Sequence, residues 1–276
     1  MKIKFICTYW GSEALTAKQF LHKAIENSYD GVEINLPNDE VFIKEFEQEL
    51  KLIRQTINKD FIFIAQQVLP NKKESVDAYA HRIKDRLDFL ISLKPNFINS
   101  HTGKDYFDFS DNCKIIELTE QISSATRIPI WHEIHRGRFT FHLKTLLNYI
   151  EKFPKINLIA DFSHFCVVSE SNLEDQMELL EQIYPYIKHI HARIGFEQGP
   201  QVNNPFAPEW ELYLNQYINW WKQIIQINNN HNKAYFTITP EFGPYPYMPQ
   251  EPFTLKPLSD QWEVNIAMKK YLYQNL

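Results

Sequence analysis

Apolar and polar positions follow two rhythms along this chain, and the rhythms take turns from one end to the other. Short β-rich runs at residues 2–9, 31–36, 61–65, 97–101, 128–131, 156–161, 187–193 and 235–239 read as buried strands. Between them lie stretches with apolar residues at helical spacing. Thr16 offers an N-cap for a helix carrying Phe20, Leu21, Ala24 and Ile25. Further helices are predicted after Asp39 to about residue 57, and over 75–93, 113–125, 143–153, 172–183, 210–227 and 259–273. Short buried strands alternating with amphipathic helices imply a parallel sheet with helices outside it. Eight such units, with no linker or shift in composition, predict an α/β chain of one domain over residues 1–276, a single (β/α)8 TIM barrel.

The strands end in an unexpected way. The stretch 128–138, IPIWHEIHRGR, runs from apolar residues straight into His132, Glu133, His135, Arg136 and Arg138. The same grammar recurs downstream, where 156–159 leads to Asp161 and His164, 187–190 to His191 and Arg193, and 236–238 to Glu241. In a barrel of this kind the site lies at the C-terminal ends of the strands. Glu133, Asp161, His191 and Glu241 would then converge from the fifth to the eighth strand. Three carboxylates and one imidazole make a mixed oxygen and nitrogen donor set suited to Mn²⁺, Mg²⁺, Co²⁺ or Zn²⁺. Clustered carboxylates repel one another, and a dication relieves this better than raised pKa values would. A lone acid at a strand end is ordinarily a loop residue or a helix cap, and Asp161 is also placed to cap a helix begun at Phe162. Four on four consecutive units favour one divalent metal site. Of His189 and His191, one alone is expected to face the barrel interior.

Composition narrows the class. Hydrophobic residues make up 44% of the chain, ample for a sizeable core. A net charge of −5 argues against a nucleic-acid partner. The apolar part of residues 1–10 is too short for a secretory leader, and no run of roughly eighteen apolar residues offers a membrane span. Cys7, Cys113 and Cys166 are scattered and odd in number, which suits small buried hydrophobes in a cytoplasmic protein. Gly11, Gly103, Gly137, Gly195 and Gly243 all fall just after a strand, yet no Gly-rich phosphate loop is present, so no nucleotide cofactor is expected. The Trp220-Trp221 pair reads as core or subunit contact. Trp10, Phe107, Trp131, Phe165, Phe196, Phe242 and Tyr245 are candidates to wall a sugar-sized pocket. Residues 228–232 form a small polar turn.

Specific motifs carry a resemblance. Glu133 with His135 in Glu-Ile-His, Asp161-Phe-Ser-His164, His191 in His-Ile-His-Ala-Arg, and Glu241 in Pro-Glu-Phe-Gly resemble the xylose-isomerase-like superfamily of sugar isomerases and epimerases. That superfamily includes ketose 3-epimerases and hydroxypyruvate isomerase, and the likeness spans the whole chain. It implies that Glu133, Asp161, His191 and Glu241 bind the metal and that His164 touches substrate. It also implies that Glu33 of Gly-Val-Glu-Ile and His101 of Ser-His-Thr-Gly line the pocket. The seventh strand departs from the pattern. It reads His-Ala-Arg-Ile-Gly where many relatives have His-x-Lys-Asp, which argues against a second metal. Glu197 and Gln198 stand where ketose 3-epimerases place an arginine, leaving Arg193 as the candidate substitute.

The expected chemistry is proton transfer next to a carbonyl of a small sugar or sugar derivative, through an enediolate held on the metal. Glu133 and Glu241 would act as the base and acid pair. Arg193 and His164 would hold substrate oxygens, with His101, Lys104, His135, Arg136 and Arg138 as further contacts; the arginines suggest a carboxylate or phosphate on the substrate. The alternative is a lyase of the inosose or dehydroshikimate dehydratase kind, which would expel water after the same proton abstraction. An endonuclease-IV-like repair enzyme is the remoter alternative, since the Asp-x-His expected before the eighth strand is missing. The expected partner is a small-molecule carbohydrate, with self-association into a homo-oligomer left open.

Overall fold

The computed structural model describes residues 1–229 and 234–276. Residues 230–232 of the polar 228–232 turn lie outside the described residues. Eight strands hydrogen-bond in the order β1 to β8, and the order closes on itself as a parallel barrel. They are β1 (Lys2–Thr8), β2 (Gly31–Ile34), β3 (Ile62–Gln67), β4 (Phe97–Ser100), β5 (Ile130–Glu133), β6 (Leu158–Ala160), β7 (Ile187–Ala192) and β8 (Tyr235–Pro240). The first half of β1 provides the closure. Lys2, Ile3, Lys4 and Phe5 pair with Tyr235, Phe236, Thr237 and Ile238 of β8, while Ile6, Cys7 and Thr8 pair with Gly31, Val32 and Glu33 of β2.

Contacts cluster into two compact units. One comprises Ile6–Glu133 and Gly137–Phe139 and carries β2 to β5; the other comprises Met1–Phe5, Ile134–Arg136 and Thr140–Leu276 and carries β6 to β8. The β2–β5 unit holds helices α1 (Ala17–Glu26), α2 (Glu40–Thr56), α3 (Val76–Ser92) and α4 (Phe109–Thr126). The starts of the first three are written in the sequence. Thr16 and Gln19 form a reciprocal capping box on α1, the Asp39 side chain accepts from the Val41 and Phe42 amides of α2, and Ser75 accepts from Ala78 of α3. Each helix buries one stripe, as with Tyr79, Ile83, Leu87 and Leu90 of α3. Burying each such side chain stabilises the fold by about 1.5–3 kcal/mol before entropy is set against it.

The β6–β8 unit holds α5 (Leu143–Lys152), α6 (Ser163–Ser169), α7 (Met177–Ile183), α8 (Glu211–Asn229) and α9 (Gln261–Asn275). Its core is aromatic. Tyr217, Trp220 and Trp221 of α8 are buried together, and Phe162 meets Trp220 edge-on with ring centroids 5.8 Å apart. The tryptophan pair is therefore core.

Four elements differ locally from the expected ones. The β3 ladder runs on through Gln66 and Gln67, whose side chains find hydrogen-bond partners inside the fold. β5 begins two residues later than the apolar run, because Pro129 has no N–H to give the ladder; its carbonyl accepts from Ile98 instead. The short helix α6 has no apolar period of its own to reveal it, and α7 starts at Met177 rather than near residue 172. All three cysteines are buried and carry no disulfide, and burial pushes the Cys166 thiol up to about 12. Among the described residues, no helix is long and apolar enough to cross a membrane.

Candidate active site

The strand tips of the β6–β8 unit gather a buried charged cluster. Asp161 follows the last residue of β6, His191 lies near the end of β7, and Glu241 follows β8. Each offers a ligand atom, and these atoms lie within 4.8 Å of one another. His191 Nδ1 is 2.8 Å from Glu241 Oε2. Asp161 is fully buried and divided in its duties: Oδ1 accepts from the Ser163 backbone N–H at 3.2 Å and from the Ser163 hydroxyl, starting α6, while Oδ2 meets the Arg193 guanidinium. Asp161 thus holds the first residue of α6, although the N-cap position itself is Phe162 and has no side-chain cap bond.

Arg193 reaches two of these groups, Asp161 and Glu241. Its Nη2 also lies 3.0 Å from His164 Nε2, and its Nη1 is 3.7 Å from Glu241 Oε2. His135 packs against His164 with ring centroids 3.8 Å apart and the rings tilted by 47°. Tyr247 lies over this group, with the guanidinium carbons of Arg193 and Arg136 at 4.8 and 5.3 Å from its ring centroid. Cation–π contact of this kind is strongest where water is excluded. Tyr247 was not among the pocket aromatics expected from sequence, which named Tyr245 instead. Tyr245 is exposed, and Tyr247 sits two residues further along the same loop.

His189 and His191 do not face opposite ways. Residues two apart on a strand share a face, and the two rings meet edge-on with centroids 5.3 Å apart. What separates them is their partners. His189 lies between the hydroxyls of Thr237, at 2.7 Å, and Thr239, at 3.0 Å, which occupy its two ring nitrogens. It is a structural layer, whereas His191 meets a carboxylate.

The β2–β5 unit presents a different arrangement. Glu133 ends β5 and is buried, with His101 Nε2 3.0 Å from its Oε2. Asn99 Nδ2 donates to that same oxygen at 2.6 Å and to Glu33 Oε1 at 2.9 Å, so one neutral amide ties two carboxylates together. Gln66 Nε2 adds a second donor to Glu33 Oε1 at 3.2 Å. Neither amide was singled out from sequence. The available signal was a polar residue at the inward position of an otherwise apolar strand. Trp131 shares the inward face two residues before Glu133 and stacks on Phe97 at 3.9 Å, so it lies beneath the strand tip rather than walling a pocket there. Lys104 and Arg138 are buried in this unit too. His132 points to the other face of β5, bonded to Thr102 and packed on Phe139; burial drives its pKa down to about 3 and keeps it neutral.

The three ligand-type groups of the β6–β8 unit fit a divalent cation. They are two carboxylates and an imidazole, all buried, facing one arginine. The donor set is oxygen and nitrogen, the choice of a hard or borderline dication.

No family model matches the chain, and a search of curated proteins by sequence finds no match. Solved structures do match in fold. A probable 3-DHS dehydratase, AsbF, involved in petrobactin synthesis in Bacillus anthracis, superposes with TM-score 0.66 at 17% identity, with 99% of each chain covered. A D-tagatose 3-epimerase-like protein gives 0.63 at 12% identity, covering 99% of this chain and 96% of that one. A xylose isomerase-like TIM barrel protein from Mycobacterium smegmatis, in complex with magnesium, gives 0.61 at 12%, covering 98% and 95%. The chain has the fold of the xylose-isomerase-like TIM barrels.

Proposed function

We propose that this chain is a divalent-metal-dependent isomerase or epimerase of a small sugar or sugar derivative, working by proton transfer next to a carbonyl. The observation that carries the reading is the gathering of Asp161, His191 and Glu241, three buried ligand-type side chains from three consecutive strand ends. Glu133, at the end of the neighbouring strand β5, is the fourth ligand in this reading. The fold likeness to an epimerase-like protein and to a magnesium-bound barrel supports it.

When bound, the dication would act as a Lewis acid on the substrate carbonyl. The chain's own residues do the rest. Glu133 and Glu241 are the base and acid that take and return the proton. His101 and Asn99, both on Glu133 Oε2, fix the rotation of that carboxylate. His164 and Arg193 hold substrate oxygens, and Tyr247 excludes water above them. His135 and Arg136, packed against His164 and Tyr247, are additional contacts, and Glu33 lines the pocket.

The test is exchange of the substrate's α-hydrogen in D₂O, screened over ketoses, tetronates and inososes with Mn²⁺, Mg²⁺, Co²⁺ or Zn²⁺. Glu133→Gln and Glu241→Gln are each expected to slow exchange by about 10²-fold or more. Undiminished exchange in both variants, or full activity with no metal bound by elemental analysis, would sink the assignment. The same screen separates the lyase alternative, since a dehydratase releases a product lighter by one water. The fold likeness to AsbF is what keeps that second reading in view.

A further inference from the structure

Two cations of the β2–β5 unit lie buried with no acid to pair with among the described residues. Lys104 is 3% exposed, and its Nζ donates to the neutral Oδ1 of Asn71 at 2.9 Å and stands 5.7 Å from the Tyr79 ring centroid. Arg138 is 9% exposed. One of its Nη atoms donates to the Gly137 carbonyl at 3.1 Å, and its buried Nε has no partner. The backbone brings them to one place: the Phe139 N–H, next to Arg138, donates to the Thr102 carbonyl at 3.4 Å, two residues before Lys104. Tyr79 braces the same corner, its hydroxyl shared between the carbonyls of His101 and Gly103 at 3.2 and 3.3 Å.

Among the described residues no carboxylate forms an ion pair with either cation. Glu74, on the loop beside Asn71, is taken by Arg82, whose Nε donates to it at 3.0 Å. Burial, and next the positive charge of Arg138, hold the Lys104 pKa below its usual value; Glu74 and Asp105 oppose this more weakly. Two like charges out of water, with an amide and an aromatic face for company, are costly to keep. An oxyanion removes that cost, because guanidinium and ammonium groups make their strongest hydrogen bonds to carboxylate and phosphoryl oxygens.

We propose that Lys104 and Arg138 form an oxyanion subsite that receives a carboxylate or phosphoryl group, so that the substrate is a sugar acid or a sugar phosphate rather than a neutral sugar. This rests on reading the strand tips as a substrate pocket, which His101 links to the subsite: it lies on Glu133 and shares Tyr79 with Gly103, the residue before Lys104.

The experiment is calorimetric and thermal titration of the metal-free protein with inorganic phosphate and, separately, malonate, against chloride at matched ionic strength and the neutral polyol glucitol. Saturable binding of at least one oxyanion, and none of glucitol, is expected. Lys104→Met and Arg138→Leu should each weaken it about tenfold or more, as loss of one hydrogen bond to a charged group does. The exposed Lys114→Met should not. Tighter binding of phosphate selects the phosphoryl form of the proposal, and tighter binding of malonate the carboxylate form. Without anion, Lys104→Met should melt no lower than the parent, since an uncompensated buried charge has gone. A lower melting temperature would assign the lysine to the fold and overturn the proposal, as would oxyanion binding indistinguishable from chloride or unchanged in both variants. The readout needs neither metal nor turnover. Oxyanion binding without hydrogen exchange on any sugar would sink the proton-transfer reading alone; exchange on neutral ketoses without oxyanion binding would sink the subsite alone.

Discussion

The two units of this chain handle buried charge in opposite ways. In the β6–β8 unit, acid and base are mixed at close range: Arg193 stands against Asp161, Glu241 and His164, and Glu241 against His191. In the β2–β5 unit the signs are sorted. Glu33 and Glu133 are held by the neutral amides of Asn99 and Gln66 and by His101, while Lys104 and Arg138 have no acid partner among the described residues. A mixed cluster satisfies much of its own electrostatics; a sorted one depends on what it binds. The first suits ligands that hold an ion in a fixed place, and the second suits recognition of a polar molecule with distinct ends.

That contrast can be broken experimentally, starting where the effect is largest. Arg193→Leu removes the cation from a fully buried carboxylate and should destabilise the metal-free protein by about 3–5 kcal/mol in denaturant unfolding. Added Mn²⁺ should recover part of the loss. An equal loss with and without Mn²⁺ would mean the acids do not form a cation site. Asn99→Leu takes the shared donor from two carboxylates and should cost about 1–3 kcal/mol. The loss should be greater near neutral pH than in mild acid, where a protonated carboxyl depends less on a donor. If the melts at the two pH values fall equally, the amide is a packing element only.

An effect absent at neutral pH and seen only in acid sits on the outer face of β5. His132 has a folded pKa near 3, against about 6.5 unfolded, so the unfolded chain binds the extra proton first. Its contribution is fully present above about pH 6.5 and is lost as pH falls toward 3, at up to about 1.4 kcal/mol per pH unit. His132→Gln should flatten the stability profile in that window. An unchanged slope would show that the acid sensitivity arises elsewhere.

How much of this was legible beforehand follows from charge and period. An acid or histidine ending an apolar run announces itself, and Glu133, Asp161, His191 and Glu241 were singled out as candidates in that way. The barrel itself followed from the count of strand–helix units. Neutral groups announce nothing. Asn99 and Gln66 organise Glu33 and Glu133 but look like ordinary strand-end polarity, and Gln66 and Gln67 were left outside β3 for that reason. Tyr247 comes from a proline-rich loop whose course no periodicity describes. The helix α6 was hidden because it is short and because its start is set by Asp161, a residue already claimed for the site.

Gly103 carries a consequence for how this protein can vary. Its φ is +66°, and a Cβ there would lie 2.2 Å from the Asn112 Oδ1 that caps the Lys104 N–H. In a saturation library sorted for folded protein alone, position 103 should stay glycine while Glu133 drifts. Sorted for turnover, both should hold. Comparing the two libraries position by position would therefore sort the polar residues of the barrel into those the chain needs in order to exist and those it needs in order to act.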